Sequence, residues 1–295
     1  MSIPLLSGFA PLAPRYDAVI LDLWGVVHNG REIFPAAADC MAHMRGAGLK
    51  LALLSNAPRR SSRIAEQLRD FGVERSSYDV IVTSGDLTYE ALAAEATSAT
   101  FRFGRTYYHL GPARDDGLLD GLPYRELPVM EDADFILNTG LFDDTSETTA
   151  DYAGRLRDAA ARGQPMVCVN PDLSVMRREV ELPCAGALAQ AYEEAGGETA
   201  YFGKPHQVAY DACFERLGVA DTSRVIVFGD SLHTDIAGAT RAGLDAIFVA
   251  SGIHAAELGA APGETPDAAR IDRFFAQRLE SPDHRVVGVM GGLSW

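Results

Sequence analysis

Short apolar runs rich in leucine and β-branched residues recur along this chain, and several stop abruptly at a polar residue. Such runs read as strands of a parallel sheet, because a strand covered on both faces has no polar side to show. They fall at residues 18–21, 49–54, 80–82, 106–110, 135–138, 166–169, 225–228 and 246–249. Alanine-rich stretches of helical period separate them and predict helices over 35–45, 61–71, 86–96, 148–162, 185–194, 207–217, 235–242 and 267–279. Pro35 suits a first helical turn, and Ser61 with Ser62 can cap the next helix. The alternation predicts an α/β fold of helices on a parallel sheet. No internal repeat is evident, residues 260–266 read as a loop, and the tail from Ser281 carries no functional signal.

The polar residues that end these runs hold the chemistry. Asp22 closes the run 17–22 and is followed at once by Leu23-Trp24-Gly25-Val26. A carboxylate at the C-terminal end of a parallel strand lies where open α/β sheets place their ligands. Ser55 and Asn56 end the run 49–54, Lys204 follows Tyr201-Phe202-Gly203, and Gly229-Asp230-Ser231-Leu232-His233-Thr234-Asp235 ends the run 225–228. Taken singly, each has an ordinary reading. Asp22, Asp230 or Asp235 could cap a helix, Ser55 and Asn56 could shape a turn, and Lys204-Pro205 could be a turn of its own. Together they supply a nucleophile, a hydroxyl beside an amide, a fixed positive charge and an acidic pair, which are the needs of phosphoryl transfer. Asp22 would attack phosphorus. Ser55, Asn56 and Lys204 would neutralise the equatorial oxygens, and Asp230 with Asp235 would hold a magnesium ion and orient the lysine.

Composition narrows the choice. The chain has 295 residues, 47% hydrophobic and only 23% charged, enough to bury two cores. A formal net charge of −15 disfavours nucleic acid and anionic membranes as partners. Cys40, Cys168, Cys184 and Cys213 form no CxxC pair, so buried thiols in a reducing compartment are expected rather than a disulfide or zinc framework. No apolar stretch approaches membrane-spanning length, and the proline-containing start lacks a basic segment, so a cytoplasmic protein is expected.

The ordered set DxxGV, SN, GKP and GDSxxTD resembles the haloacid dehalogenase superfamily. The long insertion between Ser55 and Lys204, with Thr83-Ser84-Gly85 leading in and Asn170-Pro171-Asp172 inside it, resembles the class IIA branch of sugar, nucleotide and pyridoxal phosphate phosphatases. The resemblance implies a Rossmann-like, doubly wound parallel-sheet core from residues 1–85 and 200–295, with an inserted α/β cap over 86–199. It further implies that Asp22, the backbone carbonyl of Trp24 and Asp230 bind Mg2+, and that two copies associate through their caps. In the cap, Asn170 and Asp172 could line the substrate, although Asn-Pro-Asp is also an ordinary turn.

One position departs from the family pattern. Where the family's phosphatases carry a second aspartate two residues after the nucleophile, this chain has Trp24. That aspartate protonates the leaving oxygen and then activates water; an indole N–H donates a hydrogen bond but has no useful acidity. His28 is the nearest replacement in sequence. The expectation is therefore a magnesium-dependent phosphatase of a small phosphorylated metabolite, impaired at leaving-group protonation. The alternative is a catalytically silent relative that binds a phosphorylated ligand or a protein partner.

Overall fold

The apolar runs of the first and last thirds of the chain form one sheet. The computed structural model describes residues 3–97, 102–177, 180–260, 263–278 and 284–295. Its strands, in chain order, are β1 (Ala18–Asp22), β2 (Lys50–Ser55), β3 (Val80–Thr83), β4 (Thr106–Leu110), β5 (Arg125–Glu126), β6 (Phe135–Asn138) and β7 (Met166–Cys168). They continue with β8 (Ser174–Arg177), β9 (Val180–Pro183), β10 (Thr199–Tyr201), β11 (Val225–Gly229), β12 (Asp245–Val249) and β13 (Val286–Met290). The larger sheet runs β13-β12-β11-β1-β2-β3 with every pairing parallel. β1 lies at its centre, and the order reverses between β1 and β11. That is the topological switch point at which doubly wound sheets bind ligands.

The helices are α1 (Pro35–Gly46), α2 (Ser61–Asp70), α3 (Ser84–Thr97), α4 (Ala153–Ala161), α5 (Ala185–Glu194), α6 (Gln207–Leu217), α7 (Ala237–Arg241), α8 (Ala255–Leu258) and α9 (Ala268–Arg278). The β1 side chains alternate between the two covered faces. Val19 and Leu21 join Met41 and Met44 of α1 and Leu68 of α2, whereas Ala18 and Ile20 join Tyr210 and Cys213 of α6 and Phe274 of α9. Both faces being dry explains why β1 is apolar throughout until Asp22. All four cysteines are buried free thiols.

The inserted segment builds a second parallel sheet, β10-β7-β6-β4-β5, and a two-stranded antiparallel ribbon, β8-β9. The division expected at 85/86 falls inside α3, whose Leu87 packs into the core beside Val82. That at 199/200 falls inside β10, which pairs with β7. The helix expected over 148–162 begins as a 3-10 turn, Thr149–Tyr152, and the one over 235–242 begins as a π turn, Leu232–Ile236. Position 279, the expected end of the last helix, lies outside the described residues. The strand before Lys204 is β10, Thr199–Tyr201, whereas β5, β8, β9 and β13 lie outside the expected runs. Among the described residues no helix is long and apolar enough to cross a membrane.

Candidate active site

β1 ends in Asp22 and β11 runs directly into Asp230, so the switch point carries two carboxylates side by side. The π turn after β11 brings back a third. One carboxylate oxygen from each of Asp22, Asp230 and Asp235 lies within 4.8 Å of the others, and all three residues are buried. Lys204 enters from the loop after β10. Its Nζ donates to Asp22 Oδ1 and, at 2.7 Å, to Asp235 Oδ1. The other Asp235 oxygen accepts the Ser231 N–H at 3.1 Å, and Asp230 Oδ2 accepts the Ile253 N–H at 2.7 Å. Gly25 is required beside them. Its φ is +81°, and a Cβ there would sit 2.1 Å from Asp230 Oδ2.

The electrostatics follow from three carboxylates sharing one ammonium in a dry site. Burial pushes the Asp22 carboxyl up to about 7, against the pull of Lys204. Asp230 is raised well above the carboxylate range by burial and by the charges of Asp22 and Asp235. Burial alone would lower Lys204, yet Asp22, Asp235 and Asp172 hold it well above its ordinary value. Such a cluster has three carboxyl groups to one ammonium, and every available ligand atom is an oxygen. Those are the features that suit a hard divalent cation such as magnesium.

Asn56 and Asp172 connect this site to the inserted segment. Asn56 Oδ1 accepts the Lys204 N–H at 2.8 Å, while Nδ2 donates to the Lys204 carbonyl at 3.0 Å and to Asp172 Oδ1 at 2.8 Å. Both side-chain hydrogens of Asn56 are therefore engaged. Asp172 is half-buried, and desolvation raises its carboxyl. Asn170 turns its Oδ1 to the Asp172 N–H at 3.1 Å and so shapes the loop that delivers Asp172. Ser55 Oγ accepts the Ala57 N–H at 3.2 Å, leaving its own hydrogen to donate.

Trp24 and His28 sit in the turn after β1. The Trp24 Nε1–H donates to the backbone carbonyl of Met176, in β8, at 2.7 Å. His28 is 4% exposed and packs edge-on to Trp24, with ring centroids 5.6 Å apart, and to Phe71 at 5.4 Å. Its Nδ1 accepts the Gly30 N–H at 3.1 Å, so Nε2 carries the proton of the neutral ring. Burial lowers its pKa to about 4. His28 is thus a packed neutral imidazole, a poor stand-in for an acid. Because the unfolded chain binds this proton at the ordinary 6.5, stability is lost as pH falls from there towards 4, by up to about 3 kcal/mol from this group. His28→Phe is expected to flatten the acid limb of an unfolding-free-energy profile by about that amount; a parallel limb would refute the assignment.

With this geometry in view, the comparisons with known proteins are direct. Residues 19–121 match the haloacid dehalogenase-like hydrolase family and residues 201–274 a second HAD-hydrolase-like family. The chain belongs to the haloacid dehalogenase-like hydrolases. A hydrolase of this family from Brucella suis 1330 is 34% identical, covering 98% of this chain and 100% of that one, with a TM-score of 0.81. The acid sugar phosphatase of Staphylococcus saprophyticus is 26% identical over 247 residues, 82% of this chain and 90% of its own. A glycerol phosphate phosphatase from Mycobacterium tuberculosis, solved in complex with magnesium, shares the fold at 23% identity and a TM-score of 0.65, covering 96% of this chain and 76% of that one.

Proposed function

We propose that the protein is a magnesium-dependent phosphatase of a small phosphorylated metabolite, working through an aspartyl-phosphate on Asp22. The observation that carries this reading is the bridge from Lys204 Nζ to both Asp22 and Asp235 beside Asp230, at the switch point of the sheet. Asp22, Asp230 and the Trp24 carbonyl would hold the ion, with Asp235 beside them. Bound magnesium would neutralise charge on the transferring phosphoryl group.

The chain's own residues supply the rest. One Asp22 oxygen forms a bond to phosphorus as the ester oxygen departs with its bonding electrons. Lys204, the Ser55 hydroxyl and the Asn56 backbone N–H face the phosphoryl oxygens and offset their charge. Water then attacks the aspartyl-phosphate, which frees Asp22 and inorganic phosphate. What is missing is the proton for the departing oxygen, because the Trp24 N–H is held by Met176. Departure then depends on how well the leaving oxygen tolerates negative charge.

The test is inorganic phosphate release with magnesium across a panel from aryl to sugar and other alkyl phosphates. A sugar phosphate heads the alkyl set because the Staphylococcus saprophyticus relative is named an acid sugar phosphatase. The expected result is metal-dependent release, lost on chelation, with a steep preference for aryl leaving groups. Absence of release from every ester would favour the ligand-binding relative.

A further inference from the structure

We propose that Trp24 is a positioning residue that latches the β8-β9 ribbon of the cap over the nucleophile. Its role in turnover rests on the phosphatase reading; the latch itself does not. The indole N–H is the donor, the Met176 carbonyl the acceptor, at 2.7 Å between residues 152 positions apart in the chain.

The donor is set by the core alone. Gly30, at φ +85°, lies against the indole, where a Cβ would come within 2.3 Å of Trp24 Cη2. The His28 ring packs edge-on to the indole. The turn that carries both is closed by the Gly25 N–H donating to the His28 carbonyl at 2.9 Å and by the Phe34 N–H donating to Val27 at 2.9 Å. Side-chain freedom that other tryptophans retain is therefore already lost here, and the N–H is aimed before the cap closes.

The acceptor belongs to an element with little stability of its own. A two-stranded ribbon is marginal in isolation and presents open edges with unpaired carbonyls. Among the described residues β8 pairs only with β9, through Ser174↔Pro183 to Arg177↔Val180. Among the described residues, the segment 172–176 is tied to the core by Asn56 and the Thr234 side chain at Asp172 and by Trp24 at Met176. Each starts beside a proposed site residue: Asn56 follows Ser55, Thr234 precedes Asp235, and Trp24 lies two after Asp22. Closing the ribbon and aligning the nucleophile's turn are thus one event, and closure excludes water from the site. The position that serves leaving-group protonation in the family pattern serves cap closure in this chain.

Amide hydrogen exchange on Trp24→Phe, which keeps an aromatic ring and deletes the N–H, tests this. Exchange in β8 and β9 is expected to quicken by about tenfold, with β1 and β11 unchanged. Unchanged exchange in the ribbon would overturn the latch. Should that variant misfold, a second substitution that keeps Trp24 answers the same question. The chain has two tryptophans, so Trp295→Phe leaves one indole N–H resonance. Protection of that proton from exchange supports the latch, and exchange at the rate of a free indole overturns it. Both readouts are made without substrate, so a protein inert towards phosphate esters would still report the latch. With an active protein, Trp24→Phe raises KM for aryl phosphates more than it lowers kcat.

Discussion

Asp22→Asn is expected to abolish phosphate release, lowering kcat by about 10⁴- to 10⁶-fold, the range seen when a nucleophile acting within a concerted unit is removed. The substitution is isosteric, so the site keeps its shape. Lys204 loses one ionic partner but retains Asp235, to which it already donates at 2.7 Å. The buried cluster also sheds a carboxylate whose charge Asp230 was repelling. Thermal stability is therefore expected to stay near that of the wild type, which separates loss of chemistry from loss of fold. Single-turnover phosphate release together with a melting curve checks both. Residual turnover at the wild-type rate would remove Asp22 from the covalent step and send the search for a nucleophile elsewhere in the site.

Trp24→Asp raises turnover of alkyl phosphates by about 10²- to 10⁴-fold, because it supplies the proton that the departing alkoxide lacks. Aryl phosphates gain little, since a phenolate leaves without help. The quantity to follow is the slope of log kcat against the acidity of the leaving alcohol, which should flatten. The gain comes with losses. The indole contacts with Gly30 and His28 disappear, at up to about 3 kcal/mol of stability, and the ribbon loses its tie to the turn. KM is expected to rise even as kcat rises. An unchanged slope would mean that the site already holds an acid, with the raised Asp172 carboxyl the first to examine.

Much of the core was legible in the amino-acid order because its strands are covered on both faces, so that β1, β2 and β11 read as unbroken apolar runs ending in Asp22, Ser55 and the Asp230 loop. The elements that escaped notice lack that signal. β5 has two residues, both exposed. β8 and β9 form a partly exposed ribbon whose Ser174-Val175-Met176-Arg177 is neither continuous nor cleanly alternating. Gly288 interrupts β13. The partner of Trp24 was beyond reach for a different reason. The indole meets a backbone carbonyl, and a carbonyl leaves no mark on residue identity. For Asn56 the order of residues pointed to a phosphate contact, whereas its side chain joins Lys204 to Asp172, a three-body arrangement that strand-end position does not encode.

β1 takes its neighbour β11 from the far end of the chain, with Ala18 opposite Val225. A ribosome therefore releases the strand that carries Asp22 long before the lysine loop or the Asp230 turn exists. An emerging chain holds the nucleophile in a half-built sheet with no ammonium beside it and no second carboxylate. Pairings across so long a span form late. Asp22, Lys204, Asp230 and Asp235 therefore meet only once β11 is in place beside β1.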